Sequence, residues 1–599
     1  MAYKESKIPF SVRYNRLLRW REKYIEEKSF VLILAIIVGG LAGTAGVLLK
    51  SLIHVIATFV KSGIVETQGN YMYVVLPIVG VLMCMLYVRY LVPDKISHGV
   101  TRVLHALSQH KSRLKRSNVY TPICASSVTI GFGGSVGAEG PIVMTGAAIG
   151  SNVGQLFRMS PRVLMMLVGA GAGAGIAGIF KAPIAGMLFT IEVLMIDLNT
   201  VSVMPLLLAS ITGATVSYCL TGYEAEFHFM QSEAFVTTRI PYVVLLGIFC
   251  GFVSHYFTRV LNKMENVFSH IKNMWHRYAI GASILALLIF LFPPLYGEGY
   301  DSLLLLLHDD SAALLDGSIF YPERQSVLML LAFVGLLTLT KAFATSATTG
   351  AGGIGGTFAP TFFVGGMAGF FFALLLNTVF GLDLSLKNFA LMGMAGCMAG
   401  VMHAPLMGIF LTAEITGSYS LFLPLLIVAA LSYVTIRFSQ PYSIYAMRLA
   451  QRGELLTHHK DKTVLTLLKI SNVIENNFHT ISPDKDLMEM VKTISQSSRN
   501  LFPVVDAEGK LIGVVQLDDI RNIMFRPDLY RKMHVQTFMS SPPAILTTSD
   551  NMEHVMKVFD KTGAWNLPVV DECGHYVGFV SKSKIFNSYR RVLRHYSED

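Results

Sequence analysis

Glu139 is the residue whose setting most suggests chemistry. It lies in Gly131-Phe-Gly-Gly-Ser-Val-Gly-Ala-Glu139-Gly-Pro141, a glycine-rich stretch that runs into an apolar, helical segment. Gly350-Ala-Gly-Gly-Ile-Gly-Gly-Thr357-Phe358-Ala-Pro360 has the same build, and Ile96-Ser97-His98-Gly99-Val100-Thr101 also opens a helical run. Glycines followed by proline in the first turn read as a helix N-terminus. Unpaired N–H groups and the positive end of the helix dipole suit a negative ligand there. No fixed cationic side chain is needed, which leaves the ion free to depart as well as arrive. An ionised carboxylate at such a helix start takes the anion's own position; protonated, it loses the charge and can swing away. Glu139 therefore reads as a gate and a candidate proton carrier.

The elements that must position these stretches are apolar. Charged residues make up 15% of the 599 residues and hydrophobic ones 52%, against about a quarter charged in soluble domains. Of the runs 30–49, 73–91, 242–253, 280–291, 327–339 and 421–434, several reach or approach the roughly 20 residues that cross a bilayer core. Irregular backbone at membrane depth is tolerated only when buried or lining a cavity, and an intramembrane carboxylate is functional by default. Alone, each glycine cluster reads better as close helix packing than as an anion site.

Repetition decides between the two. Gly178-Ile-Phe-Lys-Ala-Pro183-Ile-Ala-Gly186-Met-Leu-Phe-Thr-Ile-Glu192 aligns with Gly400-Val-Met-His-Ala-Pro405-Leu-Met-Gly408-Ile-Phe-Leu-Thr-Ala-Glu414. The segments opening at Pro141 and Pro360 align in the same order, at a similar offset. Repeated halves with interrupted spans point to a transporter-like core whose site lies between the halves.

The net charge of +10 concentrates at Arg13, Arg16, Arg19, Arg21 and Lys23, and at Lys111, Arg113, Lys115 and Arg116. Beside apolar spans such clusters report cytoplasmic orientation; without interleaved aromatics they do not read as a nucleic-acid surface. The charged start reads as a cytoplasmic amphipathic helix, not a cleaved signal. The six cysteines show no ligand spacing, and no metal is expected.

Beyond Leu449 the composition turns soluble. Phe502-Pro-Val-Val-Asp506-Ala-Glu-Gly509-Lys-Leu-Ile-Gly513 returns as Leu567-Pro-Val-Val-Asp571-Glu-Cys-Gly574-His-Tyr-Val-Gly578. Each copy reads as strand, turn and strand behind a helical pattern.

The membrane part resembles the CLC family of chloride channels and chloride/proton exchangers, and the tail resembles a pair of cystathionine-β-synthase (CBS) domains. Gly137-Ala-Glu139-Gly-Pro141 resembles the family's GREGP signature, Gly356-Thr-Phe-Ala-Pro360 resembles GIFAP, and Ser443-Ile-Tyr445 resembles the segment of the pore tyrosine. The resemblance implies a homodimer with one pore per subunit and an eighteen-helix, inverted-repeat fold. It implies that Glu139 is the external gate, that the N–H groups of Thr357 and Phe358 hold a central anion, and that the Tyr445 hydroxyl donates from the cytoplasmic side. Peptide groups of Gly99, Gly137, Ala138, Gly140 and Gly356 join the implied anion set.

Three departures qualify it. The GSGIP-like signature reads Ser97-His98-Gly99-Val100-Thr101, so His98 best matches the ion-binding serine; a one-residue shift restores Ser97, and both registers stay open. Ala138 replaces an arginine, removing a positive charge near the outer mouth. Val193 follows Glu192 where exchangers typically carry an internal proton-transfer glutamate, and valine cannot relay a proton. Glu192 and Glu414, being repeat equivalents, read as structural. In the tail, the Ser/Thr and Asp with which CBS pairs often bind adenine nucleotides are split. Asp519 keeps the acid, Ser581 the hydroxyl, and Lys584 stands where the second acid is expected.

The expected fold is thus an all-α polytopic membrane domain with inverted repeats, followed by an α/β CBS-domain pair. The expected divisions are a helix at 1–28, a membrane domain at 29–450 (repeats 29–235 and 236–450), a linker at 451–470, and CBS modules at 471–533 and 534–599. The expected function is passive chloride movement across the cell membrane, gated by voltage or pH through Glu139, with both termini cytoplasmic. The protein is not expected to be an enzyme. A chloride/proton antiporter with another proton route is the alternative, and a CBS-regulated cation channel the remote one. No cofactor is required beyond the transported ion, with an adenine nucleotide as a candidate ligand of the tail.

Overall fold

Proline, glycine and serine punctuate the chain into helices. The computed structural model describes residues 21, 23–60, 62, 71–92, 99–109, 112–196, 200–222, 235–308, 310–323, 325–451 and 470–588. Two compact units are found, one within Met1–Leu455 and one within Leu456–Asp599. The helix expected at 1–28 and the linker at 451–470 lie almost wholly outside the described residues, as does His98.

The first half of the helical unit runs α1 (Glu27–Val60), α2 (Tyr71–Tyr90), α3 (Gly99–Gln109), α4 (Thr121–Gly131), α5 (Glu139–Leu156), α6 (Pro161–Phe180), α7 (Pro183–Glu192) and α8 (Thr200–Thr221). The second runs α9 (Ile240–His270), α10 (Met274–Leu291), α11 (Tyr300–Leu307), α12 (Val327–Gly350), α13 (Phe358–Phe380), α14 (Leu386–Met402), α15 (Pro405–Thr416) and α16 (Phe422–Arg437), with α17 (Met447–Gln451) after it. Proline opens α6, α7 and α15, where its missing N–H costs nothing. Among the described residues, eight helices are long and apolar enough to span a bilayer, while α7, α14, α15 and α16 are apolar but shorter.

Two halves related by a twofold axis must form reciprocal contacts between equivalent residues, and three sets do. Gly137 and Gly356, equivalent in the alignment, form an antiparallel bridge, exchanging N–H···O bonds of 3.0 and 2.7 Å. The Ser135 N–H donates to Thr348 Oγ1 at 3.2 Å, and the Ile354 N–H to Thr129 Oγ1 at 3.1 Å. Glu192 accepts from the N–H groups of Leu406 (3.1 Å) and Met407 (2.8 Å), while Glu414 accepts from Ile184 (2.9 Å) and Ala185 (2.8 Å). Each carboxylate caps the opposite repeat's short helix, satisfying donors that the helix itself cannot. Lys181 and His403, equivalent in the repeat alignment, both take left-handed backbone (φ 54° and 55°) at the turns into α7 and α15.

Glycine lets paired helices approach to backbone contact in both halves. A methyl on Gly146 of α5 would stand 2.1 Å from the Gly171 carbonyl oxygen of α6, and one on Gly365 of α13 would stand 2.5 Å from the Gly393 oxygen of α14. Since the obstacle is backbone, Gly146→Val should cost at least about 1–3 kcal/mol. The expected readout is a lower thermal midpoint in detergent and a reduced folded yield; an unchanged midpoint would contradict this packing.

In the second unit, β1 (Ile474–Glu475), α18 (Leu487–Gln496), β2 (Leu501–Val505), β3 (Leu511–Gln516), α19 (Leu517–Ile520), β4 (Leu546–Thr547), α20 (Met552–Thr562), β5 (Asn566–Val570) and β6 (Tyr576–Ser581) form two similar modules. One sheet has the order β1-β6-β5-β4, the other pairs β2 with β3. β1, at the start of the first module, completes the second module's sheet against β6. Reciprocally Ser540, near the start of the second module, bridges to Val514 of β3. Each module's sheet thus takes a segment from the other module. Lys510 bridges its repeat equivalent His575, so this pair too has its own twofold relation.

Candidate functional site

The Gly137–Gly356 bridge brings the starts of α5 and α13 together from opposite repeats. Glu139, first residue of α5 and 1% exposed, does not stay with its own helix. Its Oε2 accepts from the Ala359 N–H at the start of α13 at 3.4 Å, and its Oε1 accepts from the Tyr300 hydroxyl at 2.7 Å. The carboxylate thus caps the other repeat's helix start, where an anion would otherwise find donors.

Beneath it lie Thr357 and Tyr445. Thr357 Oγ1 donates to the Tyr445 hydroxyl at 3.2 Å, and Tyr445 is buried. The start of α3 closes the group: Thr101 Oγ1 donates to the Tyr445 carbonyl at 3.3 Å, and a methyl on Gly99 would stand 2.2 Å from the Gly140 carbonyl. Phe358 stacks on Phe180 with centroids 5.5 Å apart. Glu139, Gly99, Gly140, Thr357, Phe358 and Tyr445 therefore gather around three converging helix starts.

Three residues of the expected anion set are committed elsewhere. The N–H groups of Gly137 and Gly356 each donate to the other's carbonyl across the axis. The Ala138 N–H donates to Glu298 Oε1 at 2.9 Å. Here they join the repeats and anchor the start of α5. Val193 is 1% exposed, directly after the capping Glu192.

Sequence reasoning passed over three contributors: Lys341, Glu298 and Tyr300. Lys341, at the centre of α12, is fully buried; its Nζ donates to Ser135 Oγ at 2.9 Å and to the Gly297 carbonyl at 3.2 Å, and lies 4.8 Å from the centre of the Phe363 ring. A lysine within an apolar span was the available signal.

In the tail, Asp519 closes a capping box: Gln516 N–H donates to its Oδ2 at 3.2 Å. Ser581 Oγ donates to Glu475 Oε1 at 3.1 Å and accepts from the Lys584 N–H at 3.1 Å, and Arg499 pairs with the same Glu475 at 2.6 Å. The nucleotide candidates thus have local partners. Asp571, Cys573 and His575 bring three potential metal-ligand atoms within 4.8 Å of one another. Asp571 Oδ1 serves the N–H groups of Cys573 and His575, while the His575 ring bonds its Oδ2 at 2.9 Å and holds the carboxyl below its usual range. Asp506 makes the same turn with Glu508 and Lys510 in those places, so the turn needs no ion.

A family model described as "Voltage gated chloride channel" matches residues 79–437, and one described as "CBS domain" matches 470–526 and 535–591. The chain is 26% identical to "Chloride channel protein CLC-f" of Arabidopsis thaliana over 489 residues, covering 71% of this chain but only 61% of that protein. It is 25% identical to "H(+)/Cl(-) exchange transporter ClcA" of Vibrio cholerae over 435 residues, covering 70% of this chain and 89% of that protein. Among solved structures, a slow cyanobacterial Cl-/H+ antiporter aligns with a TM-score of 0.61 at 22% identity, over 72% of this chain and 98% of that one.

Proposed function

This chain belongs to the CLC family of chloride channels and exchangers, and on that premise we propose that it is a passive chloride channel gated by Glu139. As a family member it is a multi-pass membrane protein of anion transport. The finer reading rests on one observation: the Glu139 carboxylate lies against Ala359 at the opposite repeat's helix start, above Thr357 and Tyr445. A carboxylate in that position competes with a permeating anion for the same donors, so the two exclude each other. Thr357, Phe358 and Tyr445 form the central site, with Gly99 and Gly140 shaping its walls. Buried Val193 supports uncoupled flow, because it offers no proton-accepting atom at the position where a relay would run.

The antiporter remains the second reading, since relatives named as exchangers match over most of their length. A cation channel is disfavoured by chemistry. Glu139, Glu192, Glu298 and Glu414 each accept hydrogen bonds from peptide N–H groups, so their charge already has donors. Homodimerisation, cytoplasmic termini in the cell membrane, and a dimerising, regulatory CBS pair complete the proposal. With Ser581 and Asp519 locally engaged, the scaffold role is favoured over nucleotide sensing.

The test is chloride flux with simultaneous proton recording from purified protein in sealed liposomes, beside empty vesicles. Rapid chloride flow without uphill proton movement is the expected outcome. Protons pumped in fixed proportion to chloride would overturn the channel reading and establish exchange. A reversal potential that follows the cation gradient would overturn anion transport itself.

A further inference from the structure

The segment Gly297-Glu298-Gly299-Tyr300 holds the gate's approach at four successive points. The Gly297 N–H donates to the Gly133 carbonyl at 3.0 Å, and the Gly297 carbonyl accepts from Lys341 at 3.2 Å. Glu298 accepts from the Ala138 N–H, one residue before the gate, at 2.9 Å. Gly299 turns the chain with φ +97°, where a methyl would stand 2.5 Å from the Phe363 ring. That turn starts α11 with Tyr300, whose hydroxyl donates to Glu139 Oε1 at 2.7 Å.

The tyrosine is held to this task. Its ring packs edge-on against Phe180 with centroids 6.4 Å apart, and Phe180 stacks on Phe358 at the start of α13. The hydroxyl is therefore aimed at the carboxylate by a rigid frame, so little further ordering is needed when the bond forms. A seated, ionised carboxylate gains a charge-assisted bond from it, which a departed one loses.

We propose that Tyr300 is a positioning residue that latches Glu139 in its pore-blocking place and thereby sets how often the pore opens. The proposal rests on the reading of Glu139 as the gate. It makes the segment 297–300 a fixed outer frame and the carboxylate the moving part. The phenol needs no exchange of protons for this; it holds the carboxylate by a hydrogen bond that breaks when the gate leaves.

The experiment is a mutant cycle on chloride efflux from liposomes at fixed pH, using the full chain and the variants Tyr300→Phe, Glu139→Ala and both together. Phenylalanine keeps the ring packing and removes only the hydroxyl; an unchanged elution profile and thermal midpoint establish that each variant is folded. Tyr300→Phe should raise flux about tenfold in the parent, the size of one charge-assisted hydrogen bond, and change it less than about twofold in the Glu139→Ala background. Folded Tyr300→Phe with unchanged or reduced flux overturns the latch. So does an equal effect in both backgrounds, which would mark Tyr300 as acting on the pore and not through the gate. Failure of Glu139→Ala itself to alter flux would overturn the gate reading, whatever Tyr300→Phe does.

Discussion

Glu139→Ala is expected to leave a pore that conducts chloride without closing. In the parent, the seated carboxylate takes a peptide N–H from Ala359 and the Tyr300 hydroxyl. Bonds to a charged group contribute more than neutral ones, and a negative charge at a helix start gains further from the dipole. Together these favour the seated state by roughly 2–4 kcal/mol. Removing them should raise flux at neutral pH about 30- to 1,000-fold, up to the point where every pore is open. Acidification should activate the parent, because a protonated side chain loses the charge that seats it. Glu139→Gln keeps the shape but cannot carry the charge, so its flux should stay flat across the acid range over which the parent is activated. Chloride-electrode traces of efflux across that range check both claims. A glutamine variant retaining the parent's acid activation would move the gate elsewhere. If the parent exchanges protons, the same substitution should abolish their movement.

Much of this site was legible because its signals are local. Glycine runs ending at Pro141 and Pro360 mark helix starts by backbone chemistry alone, and Glu139 stands out among them for its charge. The reciprocal duty of Glu192 and Glu414 was visible only as equivalence. That each would cap the opposite repeat's helix depends on how α7 and α15 meet, which no spacing encodes. Gly137, Ala138 and Gly356 show the converse: a helix-start motif identifies donors without saying what they face, and here they face Gly356, Glu298 and Gly137. Tyr300 lies about 160 residues from the carboxylate it holds, outside both repeat alignments, so only folding brings them together. The tail was legible as two copies, since each hairpin is a local pattern. The exchange of β1 and Ser540 between sheets was not, because it depends on a pairing between modules.

Lys341→Met is expected to be the most damaging single change outside the pore. The lysine is fully buried in a membrane helix and ties together two segments distant in sequence, through Ser135 and Gly297. Glu298, which holds the Ala138 N–H, is near enough to act on it electrostatically. Methionine fills a similar volume but leaves the Ser135 hydroxyl and the Gly297 carbonyl without their donor and the Glu298 carboxylate without its nearby cation. Leaving those two buried hydrogen-bond partners without their donor costs on the order of 1–3 kcal/mol each, and the charge of half-buried Glu298 adds to it. The thermal midpoint in detergent should therefore fall and aggregated protein should rise during purification. Adding Glu298→Gln removes the charge that faced Lys341, so the double variant should recover part of the loss; independent sites would simply add their costs. Recovery would identify charge compensation as the larger part of Lys341's contribution. No recovery, with Lys341→Arg also destabilised, would show that the two hydrogen bonds and their geometry carry it. In either case the variant should lose stability before it loses selectivity, because Lys341 bonds Ser135 and Gly297 and not Thr357, Phe358 or Tyr445.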